Sequence, residues 1–145
     1  QRFIIAFFFL KNVKTDRLHY RVYLIMMGRG GGKNGLISGI TNYLNSELHG
    51  IPEYHISIVA NSEEQAKTSF EEIYNVVDAN PPLQKSFRLT KLKITNKKTK
   101  STLMFRTSNA ETKDGGREGA IVFDEIHQYE NAKTVNVFRR GLGKK

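Results

Sequence analysis

Apolar positions fall into short runs and helical stripes that alternate along the chain. Phe3–Leu10 is apolar almost throughout and reads as a core helix. It is far shorter than the roughly 20 residues that span a bilayer, and no small-residue cleavage pattern follows, so a membrane or signal segment is not expected. Val22-Tyr-Leu-Ile-Met-Met27 runs into a glycine cluster and predicts a first buried strand entering a turn. From Lys33 to about Leu48, Leu36, Ile37, Ile40 and Leu44 recur at helical spacing, and Gly50 with Pro52 closes the pattern.

The alternation continues downstream. Ile56–Ala60 predicts a strand, and Ser62 with Gln65 has the form of a capping box opening a helix. Its apolar face is Ala66, Phe70, Ile73, Tyr74 and Val77, with Pro81-Pro82 as the expected stop. Leu92 and Ile94 alternate with Lys91 and Lys93, and Leu103 and Phe105 alternate beyond Asn96–Ser101, which predicts a basic β-hairpin. Ala120-Ile-Val-Phe123 is wholly apolar and predicts a central strand. Strands alternating with amphipathic helices give an α/β fold, a mainly parallel central sheet flanked by helices, over one domain at 1–145. The sequence stops just after a helical pattern, Ala132–Arg140, with no apolar strand beyond it, so the domain is expected to be incomplete at its C-terminal end.

Composition narrows the chemistry. A net charge of +9 and a pI near 9.8 favour polyanionic partners such as nucleic acid. Without cysteine there is neither a disulfide framework nor a thiolate metal site, and cytoplasm is the default compartment. His19, His49 and His55 lack ligand spacing, so no zinc site is expected.

Two constellations carry chemistry. In Met27-Gly-Arg-Gly-Gly-Gly-Lys-Asn34 an apolar run meets glycines and a lysine that opens a helix. Gly28, Gly30, Gly31 and Gly32 let backbone N–H groups turn towards one anion, the helix N-terminus adds partial positive charge, and Lys33 reaches the outer phosphates. The common phosphate-loop pattern is broken at both ends: Met27 holds the first glycine position, and Asn34 stands where a hydroxyl residue would ligate Mg²⁺, offering an amide oxygen. The second constellation is Asp124-Glu125, at the C-terminal edge of the last predicted strand, where open α/β sheets place ligands. Asp124 is assigned to the metal and Glu125 to the attacking water. Taken singly, the loop is also a plain glycine turn and the pair a solvated strand end; their order and spacing join them into an ATP-binding signature.

Four separated motifs, Gly28-Arg-Gly-Gly-Gly-Lys-Asn-Gly35, Val59-Ala-Asn-Ser-Glu-Glu-Gln-Ala66, Lys113-Asp-Gly115 and Val122-Phe-Asp-Glu-Ile-His127, resemble those of phage terminase large subunits. The resemblance spans nearly the whole chain and implies a P-loop ATPase domain that uses ATP and Mg²⁺ to drive double-stranded DNA into a prohead. It implies that Gln1, in Gln1-Arg-Phe-Ile-Ile-Ala6, contacts adenine and that Arg29 senses or stabilises the γ-phosphate, although Arg29 also reads as a plain surface cation. Portal protein, a small terminase subunit and a ring on the portal are implied partners, in the host cytoplasm and without a membrane. The family's coupling motif and nuclease domain do not follow the acidic pair here. Two further readings stay open: a helicase-like ATPase, and a basic nucleic-acid or nucleotide-binding module without turnover. The five lysines between Lys91 and Lys100 read first as protection of an edge hairpin and alternatively as a track for a phosphate backbone. His127 reads as a strand-end residue.

Overall fold

The computed structural model describes residues 2–28, 30–107, 117–129 and 133–142. It divides into two units, Gln1–Ile40 and Thr41–Lys145.

The first unit opens with helix α1 (Arg2–Phe8). The helix forms as expected, but it is no core element: it has no buried residue, and Phe3 is 74% exposed. Seven residues make a helix about 10 Å long, and one that is apolar all round can shield only one side of itself. Tyr23 supplies that side, stacking on Phe8 and placing its hydroxyl 2.9 Å from the Phe7 carbonyl. Between them Asn12 closes a loop, its side-chain oxygen accepting from the Lys14 and Thr15 amides. The run at 22–27 also departs from expectation. It alternates as a strand does, with Tyr23, Ile25 and Met27 half-buried and Val22, Leu24 and Met26 outward. It joins no ladder among the described residues. Periodicity reports which side chains share a face, whereas a strand also needs a hydrogen-bonded neighbour, about which a local run carries no information. Helix α2 (Lys33–Asn45) then begins in this unit and ends in the next.

In the second unit a 3-10 turn, Glu47–His49, follows α2, with Gly50 left-handed at φ 79° as its C-cap. Five strands form one sheet in the order β2-β3-β4-β1-β5: β1 (His55–Ala60), β2 (Phe87–Thr90), β3 (Lys93–Asn96), β4 (Thr102–Thr107) and β5 (Glu118–Phe123). β4, β1 and β5 run parallel, and β2 and β3 add antiparallel strands. The expected hairpin is thus β3–β4, widened by β2 into a meander. Its Asn96–Ser101 connection is held by Asn96, whose side-chain oxygen accepts from the Lys98 and Thr99 amides at 2.9 Å.

Helix α3 (Glu63–Asp78) starts where the capping signal places it, with the Ser62 oxygen accepting from the Gln65 amide. Pro81-Pro82 marks a beginning: both lie in the first turn of a further helix, α4 (Pro81–Ser86), where missing N–H groups cost nothing. The core joins the predicted face of α3 to the sheet, with Phe70, Ile73 and Val77 on Ile56, Ile58, Phe87, Ile94 and Leu103. Each such side chain contributes about 1.5–3 kcal/mol of transfer free energy. Helix α5 (Lys133–Gly141) follows the acidic pair and buries Phe138.

β5 was expected to be central, yet among the described strands it is an edge, paired only with β1. Its register slips by one residue: His55 faces Glu118 and Ile56 faces Ala120, so Gly119 is the extra residue of a bulge. A Cβ at Gly119 would lie 2.5 Å from the Tyr54 ring, so the close approach of that ring requires glycine.

Candidate nucleotide site

The glycine loop belongs to the first unit. Gly30 and Gly32 hold φ of 79° and 80°, in the left-handed region that glycine enters without strain. The Gly31 amide donates to the Gly28 carbonyl at 3.0 Å, and a Cβ on Gly31 would meet that same oxygen at 3.0 Å. Glycine therefore fits best at positions 30, 31 and 32. The Leu36 amide donates to the Gly32 carbonyl at 3.1 Å, so the helical ladder starts at Gly32, and the N-terminus of α2 brings its partial positive charge to this end of the loop. Lys33 and Asn34 are half-buried in the first turn, and Gly28 is exposed. Gln1 and Arg29, the residues expected at adenine and γ-phosphate, lie outside the described residues, as does Lys113-Asp-Gly115.

The acidic pair belongs to the second unit and leaves the C-terminal end of β5. The Asp124 amide donates to the Val59 carbonyl at 2.8 Å, extending the β1–β5 ladder by one step. Its carboxylate is buried, 6% exposed, and Oδ2 accepts from the Ser69 hydroxyl at 2.6 Å. Ser69 sits on the core side of α3 among Ala66, Phe70 and Ile73. The Tyr129 hydroxyl donates to the Val59 carbonyl at 2.8 Å. Burial first, and the Asp124 charge second, push the Tyr129 phenol up to about 12. It therefore stays a neutral donor.

Glu125 takes a left-handed conformation, φ 49° and ψ 46°, as the N-cap of the 3-10 turn Ile126–Gln128. A non-glycine residue there costs on the order of 1–3 kcal/mol and is held by its surroundings. The Gln128 amide donates to the Glu125 carbonyl, and the Gln65 side-chain amide donates to the Gln128 side-chain oxygen at 2.9 Å, tying this turn to the start of α3. His127 Nδ1 lies 3.4 Å from a Glu125 carboxylate oxygen, an ion pair when the ring is protonated. Side-chain direction therefore splits the pair, with Asp124 locked inward and Glu125 turned by its backbone.

Among the described residues no cluster of three or more His, Asp or Glu could hold a metal ion alone. Mg²⁺ at a nucleotide uses one or two protein carboxylates and completes its shell with water and phosphate oxygens, so it does not require such a cluster. Ser69 and Tyr129 were not singled out from the sequence. A small polar residue interrupting the apolar face of α3 is a usable signal for Ser69; Tyr129 carries none.

A mostly parallel five-stranded sheet flanked by helices is an α/β fold of the P-loop type. Residues 1–145 match the family model for the terminase large subunit, ATPase domain, and the chain belongs to that family. The crystal structure of the HK97 bacteriophage large terminase is similar in fold, with a TM-score of 0.73 at 22% identity, covering 81% of this chain and 25% of the phage protein. The chain thus spans about a quarter of that protein's length. No curated protein sequence matches the chain. No helix among the described residues is long and apolar enough to cross a membrane.

Proposed function

We propose that this chain is the ATP-hydrolysing part of a viral DNA-packaging motor that moves double-stranded DNA into a prohead. The observation that carries the reading is the buried Asp124 carboxylate, fixed by Ser69 at the end of a parallel strand and followed by Glu125 in a strained backbone conformation. In this reading the amides of Gly28–Asn34 cradle the phosphates and Lys33 neutralises charge on the outer ones. Arg29 stabilises the γ-phosphate and Gln1 contacts adenine. Asp124 would hold Mg²⁺, with the Asn34 amide oxygen as a further candidate ligand, and the ion would screen phosphate charge. Glu125 orients and deprotonates the attacking water. Portal protein and a small terminase subunit are the partners proposed from the family, with a ring on the portal and the host cytoplasm as the setting.

Titration calorimetry separates this reading from a basic module that merely holds phosphate. A motor domain binds ATP with Mg²⁺ in a manner that Lys33→Ala weakens. A backbone-binding module prefers DNA to mononucleotide and loses affinity steeply with salt. Heat of ATP binding unchanged by Lys33→Ala would contradict the proposal.

A further inference from the structure

Residues 79–107 hold eight of the chain's 23 Lys and Arg and none of its 14 Asp and Glu, so all other residues together carry 15 cations against 14 acids. The net charge of +9 therefore resides almost wholly in α4 and the β2-β3-β4 meander. Four of these cations have structural work. Arg106 pairs with buried Glu118 at 3.0 Å and Lys98 with Glu47 at 2.9 Å. Lys97 Nζ donates to the Gln84 and Lys85 carbonyls, and Lys100 Nζ to the Lys97 carbonyl.

Arg88, Lys91 and Lys93 differ. All three are exposed, and none is in an ion pair among the described residues. The register sets Arg88 opposite Thr95 and Thr90 opposite Lys93, which puts Arg88 and Lys93 diagonally on one face, about 7–8 Å apart. Lys91 lies in the connecting turn, beside Leu92, which is 67% exposed. The turn is braced, since the Thr90 hydroxyl donates to the Lys93 carbonyl and accepts from its amide. Among the described residues Glu63 is the one acid lining the adjoining depression with Thr90, Leu92 and Lys93, and it makes no ion pair with Lys93.

Edge protection does not account for these cations. The edge strand is β2, only four residues long, and of the three only Arg88 is on it; Lys91 is in the turn and Lys93 on the inner strand β3. Three unneutralised like charges on a stiff corner repel one another and contribute nothing to packing. A polyanion removes the repulsion.

We propose that the β2–β3 corner, through Arg88, Lys91 and Lys93, is a contact surface for the phosphate backbone of duplex DNA. This rests on the motor reading above and names where that motor touches its track. Lysine and arginine contacts to phosphate position a duplex without reading its sequence, as a packaging motor requires.

The test compares the full chain with R88Q/K91Q/K93Q and with a control, K97Q/K98Q/K100Q, on a short random-sequence duplex. The corner variant is expected to bind about 10-fold or more weakly near 0.1 M salt, and its slope of log affinity against log salt to fall by about 2–3, near 0.9 for each phosphate that is no longer neutralised. Its thermal midpoint and its ATP turnover without DNA stay at parental values, and the control keeps duplex affinity within about threefold. If the parent binds ATP and duplex but the corner variant binds duplex equally well, the corner is wrong and the motor reading stands. If the parent binds neither ATP nor duplex, that reading fails and takes the corner with it.

Discussion

Replacing Ser69 with alanine removes a single hydroxyl from the core side of α3 and leaves Asp124 Oδ2 without the donor 2.6 Å away. Asp124 is 6% exposed, so water has little access to replace the lost partner. A hydrogen bond to a charged group contributes about 1.5–3 kcal/mol. Alanine recovers about 0.5 kcal/mol through its higher helix propensity. The net destabilisation expected for Ser69→Ala is therefore about 1–2.5 kcal/mol. With a urea slope of about 1–3 kcal/mol per molar, the unfolding midpoint should fall by about 1 M at neutral pH. Asp124→Asn in the same cycle isolates the pair: the double variant should be more stable than the sum of the singles predicts, by about 1 kcal/mol or more. The hydroxyl also aims the carboxylate, so Ser69→Ala should weaken the Mg²⁺ dependence of ATP binding as well as stability. A loss below about 0.5 kcal/mol, or strictly additive singles, would refute the view that Ser69 fixes Asp124.

Gly119→Ala drives a methyl group into the Tyr54 ring at the β5 bulge and should cost about 1–3 kcal/mol in urea unfolding. Most of that cost should vanish in a Tyr54→Ala background, and equal losses in both backgrounds would show that the ring is not the obstacle. His49 is half-buried against Tyr54, its rings 4.4 Å apart edge to face, and burial pulls its pKa below the ordinary value. The unfolded chain then takes up the proton first. Stability from His49 is full above about pH 6.5 and declines as pH falls through the lower folded value. A His49→Phe variant should show a flatter decline in thermal midpoint between about pH 7 and pH 5; an unchanged decline would exclude His49 as a source.

Much of the fold was legible wherever one element's own residues decide its fate. The apolar face of α3 and its Ser62 cap were readable because helix periodicity and capping are local. The pairing of β3 with β4 was readable because the turn lies between them. What was not legible depends on partners distant in sequence. An apolar run at 22–27 shows alternation but not a neighbouring strand, and Ala120–Phe123 shows burial but not its place in the sheet order. Helix α1 misled because its composition is that of a core while its length leaves one side open. In the candidate site, Asp124 and Glu125 were legible as a pair, but their separation into a locked carboxylate and a strained neighbour depends on Ser69, 55 residues upstream. The basic hairpin was legible as charge. Which lysines are already occupied is a matter of Glu47, Gln84 and Lys85, and so belongs to the tertiary structure.

A comparison of binding with turnover in two variants tests most directly whether Lys33 and Glu125 serve ATP hydrolysis as proposed. With ATP and Mg²⁺, Glu125→Gln should keep nucleotide affinity within a few-fold of the parent while hydrolysis falls by about 100-fold or more, as loss of a general base implies. Lys33→Ala should lose both. If the full-length protein carrying either substitution hydrolysed ATP at the parental rate, the assignment of these residues, and with it the proposed function, would be contradicted.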